Sequence, residues 1–226
     1  MKASDHLPLW VMLGACALAC IAGMVNVVGY MGFEHQGITH LTGTTTLLGE
    51  ALSGADWRAS LQLAAMILAF VLGAAMSGAI IQDVQLRLGR RYGVALALES
   101  ILLFSAASLF KQGSMAGPLL AAAACGLQNA MARTYSGALV RTTHFSGLFT
   151  DIGINIDHAA RGMPRQASRT RLSLLTIGAF AAGCVIGAML FRRLSYDALY
   201  VPAIWTGLVG VGYAFYHHYR YSRHAH

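Results

Sequence analysis

The chain has 226 residues, of which 56% are hydrophobic and 11% charged, where an ordinary soluble domain carries about 45–50% and about 25%. With a mean hydropathy of +0.56, this composition excludes a soluble globular fold and predicts an all-α polytopic membrane protein forming one membrane domain over residues 1–226. The formal charge of +7 is read as topology, because basic residues are retained in short cytoplasmic loops. Nucleic acid is not an expected partner, since neither a basic helix nor an aromatic base-stacking platform is visible.

In chain order, Lys2 precedes an apolar run over 7–31. That run is too long for the apolar region of a signal peptide, about 7–15 residues, and reads as a retained first span. Further runs of spanning length, roughly 20 residues each, cover 59–82, 92–110, 115–132, 172–191 and 198–216. Two more segments are ambiguous: 38–52 is rich in Thr and Gly, and 138–156 carries Arg141, His144 and Asp151. Either both are broken or re-entrant, giving six crossings, or both cross, giving eight. Charge favours six with both termini cytoplasmic. That arrangement gathers Arg87, Arg90 and Arg91 inside with Arg161, Arg165, Arg169 and Arg171, whereas eight crossings would expose the first cluster against the positive-inside bias. Arg192 and Arg193, left outside, stand against it. Cys16, Cys20, Cys125 and Cys184 lie in apolar runs without metal-site spacing and read as small packing residues. The tail from His217 holds four histidines and reads as a solvated end, so no metal or other cofactor is expected.

An internal repeat runs through the chain. Gly23-Met24-Val25-Asn26 is answered by Gly126-Leu127-Gln128-Asn129, and Thr39-His40-Leu41-Thr42-Gly43 by Thr143-His144-Phe145-Ser146-Gly147, at offsets of 103 and 104. Ala69-Phe70 with Gly73 is answered by Ala179-Phe180 with Gly183, and Arg90-Arg91 by Arg192-Arg193. The halves are roughly 1–112 and 113–226. Three spans per half force the halves into opposite orientations, the inverted-topology arrangement of many secondary transporters. Matched arginine pairs then face opposite sides, which accounts for Arg192 and Arg193.

The doubled G-x-x-N followed by T-H-x-[ST]-G resembles the YoaK family of bacterial membrane proteins, domain of unknown function 1275. The resemblance runs from about Leu9 to Phe215, with G-L-Q-N-A and T-H-F-S-G its most specific strings. It implies a bacterial inner-membrane location and six spans, and lends no substrate.

Polar groups in hydrocarbon are costly, about 2.5–3.5 kcal/mol for a central Asp or Arg, so they mark sites unless paired. The repeat-related Asn26, His40, Thr42, Asn129, His144 and Ser146 define a candidate binding site at the interface of the halves. The same side chains could instead tie the halves together, with Gly43 and Gly147 allowing close packing. Only the second half carries charge there. Arg141, His144 and Asp151 share a helix face, whereas Gly37, His40 and Leu47 match them in the first half. With Glu99, a lone carboxylate inside the 92–110 run, they are candidates for proton or ion coupling. The leading expectation is a secondary transporter or small-solute permease, with the bilayer and an unidentified small solute as partners and a homo-oligomer as a further possibility. The alternatives are an intramembrane enzyme using His144 and Asp151 as an acid–base pair, and a non-catalytic assembly or sensor protein. No catalytic motif supports an enzyme.

Overall fold

The computed structural model describes residues 9–33, 37–81, 90–135, 145–163 and 167–222, and every regular element among them is helical. In order these are α1 (Leu9–Gly32), α2 (Leu41–Ser53), α3 (Trp57–Ile80), α4 (Arg90–Lys111), α5 (Ala116–Tyr135), α6 (Phe145–Ala160), α7 (Ala167–Leu194), a 3-10 turn at Ser195–Leu199, and α8 (Tyr200–Ser222). Each expected span coincides with a long helix, and each ambiguous segment with a short one. Four helical stretches are long and apolar enough to cross a membrane: Val11–Gly32, Trp57–Ile80, Arg91–Lys111 and Ala167–Gly212, the last joining α7 to α8. α5 is less apolar because Gln128, Asn129 and Arg133 fall in its last turns. Its alanine-rich face is instead wholly enclosed, with Ala121, Ala122, Ala124, Leu127, Gln128 and Ala132 buried.

α2 has 13 residues and α6 has 16, about 20 and 24 Å of helix against a hydrocarbon core of about 30 Å. α2 ends in a turn through Ala55, at φ +55°, and Asp56 then caps α3 by accepting the Ala59 N–H at 3.0 Å. The chain leaves α6 through Gly162 at φ +67°, a left-handed position that glycine takes without penalty.

The outward faces carry Leu61, Leu68 and Leu72 of α3, Val185 and Met189 of α7, and Leu208 and Val211 of α8, all exposed. Lipid tails are as apolar as these side chains, so helix association must come from close packing and interhelical hydrogen bonds. Glycine supplies the closeness at two crossings. Where α1 meets α7, a Cβ on Gly23 would overlap the backbone carbonyl of Phe180, and one on Gly183 the carbonyl of Cys20. Where α3 meets α5, a Cβ on Gly73 would overlap the carbonyl of Ala123, and one on Gly126 that of Phe70. All four cysteines are free, and Cys184 Sγ donates to the Gly23 carbonyl at 3.4 Å inside the first crossing.

Helix directions follow from successive contacts. α1 and α7 are parallel: Gly183 lies against Cys20, Gly187 against Met24 and Val27, and Tyr196 just beyond α7 donates its hydroxyl to the Gly32 carbonyl. α4 and α8 are antiparallel: Gly210 lies against Gly93 and Leu96, Ser100 donates to the Ala203 carbonyl at 2.7 Å, and Lys111 pairs with Asp197 at 2.8 Å. α4 and α5 form an antiparallel pair in which Glu99 and Gln128 meet.

The crossings predict a sharp contrast among glycines. Gly126→Ala should lower the melting temperature in detergent by the equivalent of about 1–3 kcal/mol or more, because backbone must move. Gly178→Ala, with nothing within 4 Å of the added carbon, should be neutral or stabilising by about 0.5–1 kcal/mol. Thermal unfolding of the two purified variants measures the difference.

A candidate solute site at the helix crossings

The G-x-x-N spacing acquires a geometric meaning at these crossings. Residues three apart share a helix face, so the glycine that admits the neighbouring backbone places the asparagine one turn further along the same seam. Asn26 and Asn129 both line a cavity of about 420 Å³, with Phe70 and Phe180 as opposing walls. These are the phenylalanines whose carbonyls lie over Gly126 and Gly23.

The start of each short helix completes the cavity. After Gly32 the chain turns back, and the Thr39 N–H and Oγ1 both donate to Asn26 Oδ1, at 3.0 and 2.8 Å. This anchors the start of α2 beside the interior of α1, so Leu41 and Thr42 face the cavity. Nonhelical backbone inside a membrane protein needs such partners. From the other half, Phe145 and Ser146 at the start of α6 line the same space, and the Phe145 ring packs on Phe180 with centroids 4.3 Å apart. A helix start presents unsatisfied N–H groups and the positive end of the helix dipole. The described starts of α2 and α6 both reach this cavity.

His40 occupies the N-cap position of α2 without a side-chain capping bond. Its ring folds over the first turn, where a Cβ on Gly43 would stand 2.7 Å from Nδ1. This explains the glycine three residues after the histidine. His40 and Asn26 also line a second cavity of about 390 Å³, reaching Tyr30, Gly37 and Thr46, so both side chains border both spaces.

The structure thus brings together Asn26, His40, Thr42, Asn129 and Ser146 of the candidate site. Arg141 and His144 lie outside the described residues. Glu99 and Asp151 are placed elsewhere. Glu99 is buried between α4 and α5, where Gln128 Nε2 donates to its Oε1 at 2.9 Å and its Oε2 has no hydrogen-bond partner among the described residues. Asp151 is on α6 with its carboxylate 3.8 Å from Arg169 Nε. Sequence reasoning missed Arg133, a cation on the cavity wall. Its position seven residues beyond Gly126 on the same helix face was the available signal. Phe70 and Phe180 were legible as a repeat but not as walls. Among the described residues no carboxylate lines the cavity, and no group of three His, Cys, Asp or Glu side chains is placed to hold a metal.

Long apolar helices enclosing a polar cavity define a multi-pass helical membrane protein. The model of the family described as protein of unknown function (DUF1275) matches residues 14–212, and the chain belongs to that family. No curated protein matches it, and no solved structure does.

The Asn26–Thr39 contact is testable by itself. Asn26→Ala leaves the buried Thr39 N–H unpaired, at a cost of about 1–3 kcal/mol, while Asn26→Asp retains the acceptor. The alanine variant should lose more thermal stability than the aspartate variant when both are melted in the same detergent.

Proposed function

We propose that this protein is a secondary transporter or small-solute permease of the bacterial inner membrane, with six crossings, cytoplasmic termini and two inverted repeats around the central cavity. The observation that carries the reading is the meeting of two short-helix starts, one from each half, in a single polar space. Discontinuous helices with their positive ends aimed at a substrate are a recurring construction of transporters built from repeats.

Helix direction supports six crossings. Were α6 a crossing, three crossings would separate α4 from α8 and make them parallel, whereas the two run antiparallel. The parallel α1 and α7 then require that α2 also turns back. Repeat symmetry finds support in the two crossings, since Gly23 on Phe180 corresponds to Gly126 on Phe70, and Gly183 on Cys20 to Gly73 on Ala123.

The lining favours an anionic solute or one rich in acceptors. Among the described residues it combines two helix starts, the Arg133 guanidinium and two asparagine amides, with no carboxylate. Binding is assigned to Asn26, His40, Thr42, Asn129 and Ser146, with His144 as the counterpart of His40. Glu99 is assigned to proton coupling. It acts at a distance, because its partner Gln128 is the chain neighbour of Asn129. Asp151 and Arg141 are assigned to ion handling around α6. The enzyme reading gains no support of its own, since the contact of Asp151 is with an arginine.

Three measurements test this. Single cysteines at Ala55 and Gln112 should both react with an impermeant thiol reagent applied from outside, on a background lacking the native cysteines. Protection of both would indicate eight crossings. Purified protein should be stabilised by some members of a panel of small organic and inorganic anions and not by matched cations. In proteoliposomes the stabilising anion should be taken up, with Asn129→Ala and His40→Ala each losing at least about tenfold in rate, equivalent to about 1.4 kcal/mol. Glu99→Gln should retain solute exchange and lose dependence on a proton gradient. Uptake unaffected by both site variants overturns the site.

A further inference from the structure

A second feature, independent of the transport reading, lies between α6 and α7 at the end of the molecule away from Lys111 and Asp197. Among the described helices α6 packs against α7 alone, and none of its side chains is buried. A helix leaning on one neighbour leaves a groove, here about 510 Å³, floored by Ile156, Ala159, Leu174 and Leu175 and edged by Arg171.

The charges around it are unevenly satisfied. Asp157 Oδ1 pairs with Arg161 Nε at 2.9 Å, and Asp151 Oδ2 lies 3.8 Å from Arg169 Nε. Both carboxylates of α6 are therefore engaged. Arg171 has no ion-pair partner among the described residues. It stands one residue before Leu172, where the apolar part of α7 begins, the level at which arginine heads meet the lipid–water boundary. An apolar trough with an unpaired guanidinium at its mouth is complementary to one amphiphile above others, an acyl chain bearing a phosphate.

We propose that this groove is a binding site for an anionic phospholipid, with an acyl chain along Ile156, Ala159, Leu174 and Leu175 and the headgroup phosphate on Arg171. A free phosphate would leave the trough empty, and the ammonium of a zwitterionic headgroup would offset the attraction. The lipid fills the gap that α6 leaves and holds that helix against α7.

Native mass spectrometry of the full chain in detergent, with phosphatidylglycerol or phosphatidylcholine added in equal amounts, tests this. A retained phosphatidylglycerol adduct in excess over phosphatidylcholine is expected. Arg171→Ala should lower it about fivefold, the equivalent of about 1 kcal/mol per basic residue at a membrane surface. Arg193→Ala, at the other end of α7, should leave it unchanged. Ala159→Trp, which fills the trough without altering charge, should remove the adduct, and it carries the test should Arg171→Ala prove unstable. Equal retention of both lipids, an adduct indifferent to Ala159→Trp, or displacement by inorganic phosphate would each overturn the assignment.

Discussion

Backbone-to-backbone contact at four glycines is the constraint on which the structure depends. In lipid there is little to gain by hiding one apolar face from another, so two helices adhere only when their surfaces fit closely enough for dispersion and hydrogen bonding to act. Gly23, Gly183, Gly73 and Gly126 provide that fit, and they fix the crossings between which everything else is suspended. The asparagines one turn beyond Gly23 and Gly126 then have nowhere to point but the space that the crossings leave open.

That space persists because each surrounding polar group has a reason to be there. Asn26 is committed on its Oδ1 side to Thr39, which keeps the chain before α2 within the protein. His40 folds over Gly43 and lines both the central cavity and its neighbour. Asn26 lines both spaces as well, so the two cavities share two polar side chains.

Much of this was legible in the sequence. The long helices followed from runs of apolar residues, and the ambiguous segments 38–52 and 138–156 coincide with the two shortest α-helices among the described residues. The doubled G-x-x-N string supplies Asn26 and Asn129 to one cavity, and the first T-H pair, Thr39 and His40, lines it as well. What composition could not reveal was contact between distant helices. Nothing in the apolar pattern of 92–110 says that Glu99 meets Gln128, or that Phe70 and Phe180 face one another's half. Residues matched in a repeat are equivalent in environment, which is different from being adjacent. Asp151 illustrates the converse, because its expected helix face does not determine what lies opposite, and Arg169 comes from the next helix.

The parallel packing of α1 on α7 also bears on how the molecule is assembled. Gly23 meets Phe180 and Cys184, so the first helix to leave the ribosome finds its main partner some 160 residues later. At synthesis rates of about 5–20 residues per second that is roughly 8–30 s, during which the bare glycine seam and Asn26 must be accommodated by lipid or by the insertion machinery. α3 and α5 complete their crossing much sooner. Assembly is therefore expected to proceed from the middle of the chain outwards, with the earliest helix among the last to dock.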